Sequence, residues 1–289
     1  MVTPVTQREE IDPQAVEAII DEFADSGVCP LLLGTTGEGN SVSPSAAQTL
    51  VETAVAAARG RVTVYAALTG NCVSEQIVQA NRYFETGVDV VAATLPNYYA
   101  LTPRQMEEYY LTLAEALNGP LMLYNILATT HMSIPIDVVT RLAGHPNIVG
   151  LKDSENNIER LREILRFSKD RGDFSFFCGR AAFSAETLAL GADGIVPSGG
   201  NFVPRMYRAL YDRALEGDVA EAARLQRQTA DICAIYQKGF TLGESLAALK
   251  LMLSVRHLCQ PWMLKPLTRL TPDQEQEVLA QCSALTAVG

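Results

Sequence analysis

Histidine is scarce in this sequence: His131, His145 and His257 are the only three, and they stand too far apart to give a metal-ligand spacing, so no metal centre is expected. A CxxC pair is also missing. The six cysteines (Cys29, Cys72, Cys178, Cys233, Cys259 and Cys282) are scattered, mostly within apolar runs, and read as free buried thiols of a reducing compartment. Basic clusters are few, and the net charge is −10, which argues against partners such as nucleic acid or an anionic membrane that need Lys/Arg stripes. No apolar stretch is long enough to span a bilayer, and Met1-Val2-Thr3-Pro4-Val5 is too short for a signal sequence, so a cytoplasmic protein is expected. Linkers, low-complexity tracts and the dinucleotide fingerprint GxGxxG are absent as well.

What is present is an alternation of short apolar runs with helical stripes. A chain of 289 residues, 48% hydrophobic, can bury one large core, or one core plus a small appendage. Residues 31–33, 62–65, 88–91, 121–124, 148–151, 174–177 and 194–196 are near-continuous apolar segments, the pattern of parallel strands covered on both faces. Val2 to Thr6 reads as a short first strand. Between these runs lie helices such as the one striped by Val16, Ile19, Ile20 and Phe23, with start signals at Ser43-Pro44 and at Thr102-Pro103-Arg104-Gln105. Eight strand–helix units predict an α/β fold, a (β/α)8 TIM barrel over residues 1–217. From 218 to 289 the strand signals stop. Leu225, Ile232 and Ile235, then Leu246, Leu249 and Leu253, then Val278, Cys282 and Leu285 after Thr271-Pro272, predict a small C-terminal helical appendage.

In such a barrel the chemistry gathers where strands end. That rule selects Gly34-Thr35-Thr36-Gly37-Glu38, Tyr98 and Tyr99, Tyr124, Lys152, Gly179-Arg180 and Ser198-Gly199-Gly200-Asn201. Lys152 closes the run Asn147-Ile148-Val149-Gly150-Leu151-Lys152, and a lysine held partly dehydrated favours the neutral amine that attacks a carbonyl. A solvated lysine after a strand is the plain alternative. For Tyr124 the alternative is a core aromatic whose hydroxyl meets the backbone, and for the GTTGEG loop an ordinary tight turn instead of a carboxylate cradle.

GTTGEG at 34–39, Tyr124-Asn125-Ile126, Gly150-Leu151-Lys152-Asp153-Ser154 and Gly191-Ala192-Asp193-Gly194-Ile195, in that order and spacing, resemble the dihydrodipicolinate synthase / N-acetylneuraminate lyase superfamily over almost the whole chain. The resemblance implies a class I aldolase that needs no metal or organic cofactor, its covalent imine forming between Lys152 and pyruvate or another 2-keto acid. It implies Tyr124 as general acid and base, Thr35 as a proton relay between Tyr124 and Tyr98, and a Tyr98 supplied by a neighbouring subunit. Thr35, Thr36 and the Gly34 loop would hold the keto acid carboxylate, with Val196 and Gly179 lining the pocket. A homo-oligomer follows from a shared Tyr98, and the resemblance suggests a tetramer built as a dimer of dimers.

The chain departs from the family at the positions that choose the substrate. Synthases of dihydrodipicolinate carry an arginine where Thr129 stands, and threonine cannot make a bidentate ion pair with a carboxylate. Sialic acid lyases place acidic residues where this chain has Ala181 and Ala182. Leu127 replaces a proline and His131 a common glycine, while Arg180 is placed to meet an anionic or hydroxylated tail, or else to pair with a surface carboxylate. Three functions therefore stand: a lyase for a 2-keto-3-deoxy sugar acid or similar substrate, a dihydrodipicolinate synthase with an altered carboxylate site, and a barrel that binds a keto acid or a protein partner without turnover.

Overall fold

A computed structural model describes residues 1–286. Its sheet has seven parallel strands in chain order: β1 (Leu31–Leu32), β2 (Tyr65–Leu68), β3 (Val90–Thr94), β4 (Leu121–Asn125), β5 (Ile148–Asp153), β6 (Ser175–Cys178) and β7 (Gly194–Ile195). The sheet curls, with helices between successive strands, as in a barrel of the (β/α) type. All seven apolar runs therefore became strands, although β2 begins only at Tyr65. Val62 and Thr63 have the β-branched shape that marks strands, yet the residues that pair with β1 and β3 are Tyr65-Ala66-Ala67-Leu68.

The expected first strand is not formed, so the described residues give seven strands instead of eight. Local bonding explains this. The Val2 N–H donates to Asn201 Oδ1, Pro4 has no N–H, and Val5 meets Ile11 in an isolated antiparallel bridge around the Thr6–Glu10 turn. Met1 still lies beside β1, its amino group donating to the Leu31 carbonyl.

The helix start signals act as the sequence predicts. Ser43 Oγ accepts from the Ala46 N–H at the head of helix Pro44–Ala58, and Thr102 and Gln105 form a complete capping box before helix Pro103–Ala116. After β7 the chain is helical, with long helices at Val219–Gln237, Leu242–Val255 and Pro272–Thr286. Leu225, Ile232, Ile235, Leu246, Leu249, Leu253, Val278 and Cys282 are all buried, whereas the side chain of Leu285 lies outside the described residues. Most of these residues share one apolar core with the barrel helices, so the tail packs on the barrel and not apart from it.

Candidate active site

Strand register builds the centre of the site. Successive strand residues face opposite sides, and Thr94, Tyr124, Lys152 and Phe177 are register partners across β3, β4, β5 and β6. Tyr124 packs with Ala92, Met122 and Phe177, the residues that fill the space enclosed by the sheet, and its partner Lys152 shares that side. Their neighbours Asn125 and Asp153 face the other way.

Lys152 and Tyr124 are almost wholly buried, at 6% and 2% exposure. The Lys152 Nζ sits 3.6 Å from the centroid of the Tyr124 ring, and the Tyr124 hydroxyl is 3.2 Å from Thr35 Oγ1. Burial alone pushes the Tyr124 phenol up. The Lys152 charge, together with hydrogen bonding to Lys152, Thr35 and Ser154, outweighs it and holds the phenol below its usual value of 10. A phenolate beside an ammonium can take its proton and leave a free amine that attacks a carbonyl. A cavity of about 290 Å³ reaches Lys152, lined among others by Leu31, Tyr65, Met122, Phe177 and Val196. It is mainly apolar and includes neither Tyr124 nor Thr35.

Asn125 and Asp153 brace these two residues from outside the barrel. Asp153 is fully buried, and its oxygens accept from Arg160 Nε at 2.8 Å, Asn125 Nδ2 at 2.9 Å and the Glu155 N–H at 2.9 Å. Desolvation raises the Asp153 carboxyl despite the opposing pull of Arg160. Asn125 also donates to Glu155 at 2.7 Å and accepts from the Ile134 N–H at 3.0 Å. Every polar atom of the Asn125 amide is thus used, and the ends of β4 and β5 are fixed to each other.

The remaining residues singled out by sequence fall into two groups. Near the centre, Gly34 opens the short 3-10 turn Thr35–Gly37, Thr36 is half-buried in it, and the Val196 N–H donates to the Cys178 carbonyl at 2.8 Å. Gly179 adjoins Lys152, because a Cβ there would lie 2.1 Å from Ser154 Oγ and 3.1 Å from Lys152 Cε. We expect Gly179→Ala to keep the fold but to turn the Ser154 hydroxyl away and shift Lys152, lowering kcat/KM about 10- to 100-fold; circular dichroism and steady-state kinetics together test this.

At the rim or beyond it lie the others. Thr129 is half-buried on the short helix Leu127–Thr130, its hydroxyl 3.4 Å from the Ile126 carbonyl that accepts from it. Arg180 is exposed and, among the described residues, pairs with no carboxylate. Tyr98 and Tyr99 stand out from the surface at 78% and 71% exposure, stacked edge to face with centroids 4.9 Å apart, and the Thr35 hydroxyl bonds to Tyr124 and not to Tyr98 among the described residues. Ser154 is the residue near the phenol that sequence reasoning passed over. Its signal was position, since the residue two after Lys152 returns to the same side of a strand continuing past Asp153.

The chain as a whole is similar to known proteins. Residues 1–285 match the Dihydrodipicolinate synthetase family. The chain belongs to that family. A 4-hydroxy-tetrahydrodipicolinate synthase of Oceanobacillus iheyensis is 31% identical over 279 residues, covering 96% of this chain and 92% of the relative. A probable 2-dehydro-3-deoxy-D-pentonate aldolase of Escherichia coli K12 is 33% identical over 229 residues, 78% of this chain and 76% of that protein. The dihydrodipicolinate synthase structure from Bacteroides thetaiotaomicron superposes with a TM-score of 0.93 at 29% identity, covering 98% of this chain and 96% of the other. Family membership makes the chain a lyase/aldolase-type protein and leaves its substrate open.

Proposed function

We propose that this protein is a Schiff-base aldolase that cleaves or forms a 2-keto-3-deoxy sugar acid, with pyruvate as the keto acid half. The observation that carries the proposal is the buried Lys152 amine over the Tyr124 ring, with Thr35 on the phenol. In the cleavage direction the neutral Lys152 amine attacks C2 of the substrate, and loss of water leaves a protonated imine. Tyr124, as phenolate, takes the proton of the C4 hydroxyl. The C3–C4 bond breaks, its electron pair moves into the imine to give an enamine, and the aldehyde leaves. Protonation of the enamine carbon and hydrolysis then return pyruvate and Lys152. Thr35 relays protons at the phenol, while Thr36, the Gly34 turn, Val196 and Gly179 line the carboxylate end.

The substrate tail is argued from Thr129 and Arg180. A carboxylate-bearing aldehyde needs a fork of donors, and the Thr129 hydroxyl, turned to its own helix, offers none. A polyhydroxylated tail asks for single hydrogen bonds, and the pentonate aldolase relative suits that class. The unpaired Arg180 favours one second function, a dihydrodipicolinate synthase in which this arginine stands in for the missing one. We propose further that a Tyr98 from another copy completes the site in a homo-oligomer, that the barrel unit covers 1–217 with the helical unit over 218–289, and that the enzyme works in the cytoplasm without metal or organic cofactor.

The test is a panel of C5 and C6 2-keto-3-deoxy sugar acids, with pyruvate release read through lactate dehydrogenase, beside a condensation assay with pyruvate and aspartate semialdehyde. Cleavage of a sugar acid with no condensation supports the proposal. Condensation alone, lost in Arg180→Ala, replaces it with the synthase.

A further inference from the structure

Lys250 lies in helix Leu242–Val255, inside the stretch Ser245–Leu253 in which every residue is buried. A charged amine in such a place needs a counter-charge. Glu38, from the GTTGEG loop more than two hundred residues earlier, supplies it: the two side chains form an ion pair at 1% and 0% exposure. Each has a second partner on the segment after that helix. Lys250 Nζ donates to the Trp262 carbonyl at 2.8 Å, and Glu38 Oε2 accepts from the Leu264 N–H at 2.9 Å.

Glu38 is also the residue that closes the turn bearing Thr35. Its N–H donates to the Thr35 carbonyl at 3.1 Å, and its backbone is left-handed, φ 55°, a conformation disfavoured for a residue with a side chain. The next residue leaves no slack, because a Cβ on Gly39 would lie 1.9 Å from the Leu33 carbonyl oxygen. The closing end of the turn is therefore held twice, by backbone packing at Gly39 and by the Glu38 side chain anchored in the helical tail. We infer that Glu38 and Lys250 are positioning residues that clamp the Thr35 turn to the helical tail, keeping the Thr35 hydroxyl on the Tyr124 phenol. This rests on the Schiff-base function proposed above. Neither residue touches the reacting atoms, and their effect passes entirely through Thr35.

The experiment compares the unaltered protein with K250M and with the double variant E38Q/K250M. K250M strands a buried carboxylate and is expected to be less stable. The double variant removes both charges at nearly constant volume and is expected to fold, because no charge is left unpaired. Two readouts are taken. One is the rate at which the C3 hydrogens of pyruvate exchange for deuterium, divided by the fraction of protein that borohydride traps as the adduct at equilibrium. The other is the titration of the Tyr124 phenol by NMR of labelled tyrosine, assigned with Tyr124→Phe.

In the double variant we expect exchange per adduct to fall about 10- to 100-fold, as for an ångström-scale misplacement, with trapping within about twofold of the parent. The phenol should titrate at higher pH, because the phenolate loses a hydrogen-bond donor. A folded double variant that exchanges at the parental rate with an unmoved Tyr124 titration would overturn the clamp and leave a structural ion pair. Failure of the unaltered protein to trap pyruvate or any longer 2-keto acid would instead sink the Schiff-base function, and the titration, which needs no substrate, would still decide the clamp.

Discussion

Lys152→Ala is expected to lower kcat by at least about 10⁴-fold, close to 5.5 kcal/mol of lost transition-state stabilisation, with the fold intact. The size follows from what is removed. Without the amine there is no imine, and without the imine the electrons of the breaking C3–C4 bond have no sink. Alanine leaves a small void beside Tyr124 and Phe177 but strands no buried carboxylate, because among the described residues none pairs with Lys152, and the Tyr124 hydroxyl keeps Thr35. Lys152→Arg sharpens the test: it keeps a cation near the phenol, yet a guanidinium is not a nucleophile at neutral pH, so it should be as inactive as alanine. If arginine restored turnover, Lys152 would be acting by charge alone.

Tyr124→Phe should cost about 10²- to 10⁴-fold in kcat, the range for removing one acid–base group, with little change in KM because the ring remains. Its pH behaviour is the more telling part. The phenol of the folded protein lies below 10 because the Lys152 charge and hydrogen bonds to Lys152, Thr35 and Ser154 outweigh the burial that would raise it. The phenolate, the form that takes the substrate proton, therefore grows as pH rises through a value lower than that of a free tyrosine. A limb of rising kcat on that side of 10 is expected in the unaltered enzyme and should vanish in Tyr124→Phe. A variant that kept both the limb and the rate would assign the proton transfer to another group. In the same series Thr35→Val should move the limb upward and lower kcat less, since it removes one hydrogen bond and not the acid itself.

How much of this was legible in the sequence depends on whether a residue's surroundings are local. Lys152 and Tyr124 were found because each ends an apolar run, and the parallel register that joins them follows from the order of the strands. The helix caps at Ser43 and Thr102 were found for the same reason, their partners being three residues away. The first strand was misread because the apolar pattern of residues 2–6 says nothing of where Asn201 stands, and its amide takes the Val2 N–H. Lys250 went unseen inside the stripe of Leu246, Leu249 and Leu253, although a single lysine in such a helix is itself a signal that a carboxylate must come from elsewhere. Glu38 was visible only as a loop residue, since its partner is remote in sequence. Tyr98 is the opposite case. The structure exposes it, stacked on Tyr99, and the role proposed for it in catalysis calls on a second copy of the chain.

A covalent imine between Lys152 and a 2-keto acid would be caught by an intact-mass spectrum after incubation with pyruvate and borohydride, beside Lys152→Ala. A single reduced pyruvate adduct, mapped by peptide digestion to Lys152 and missing from the alanine variant, is the predicted result. An adduct of equal yield in Lys152→Ala, or no adduct with pyruvate or any longer 2-keto acid, would contradict it.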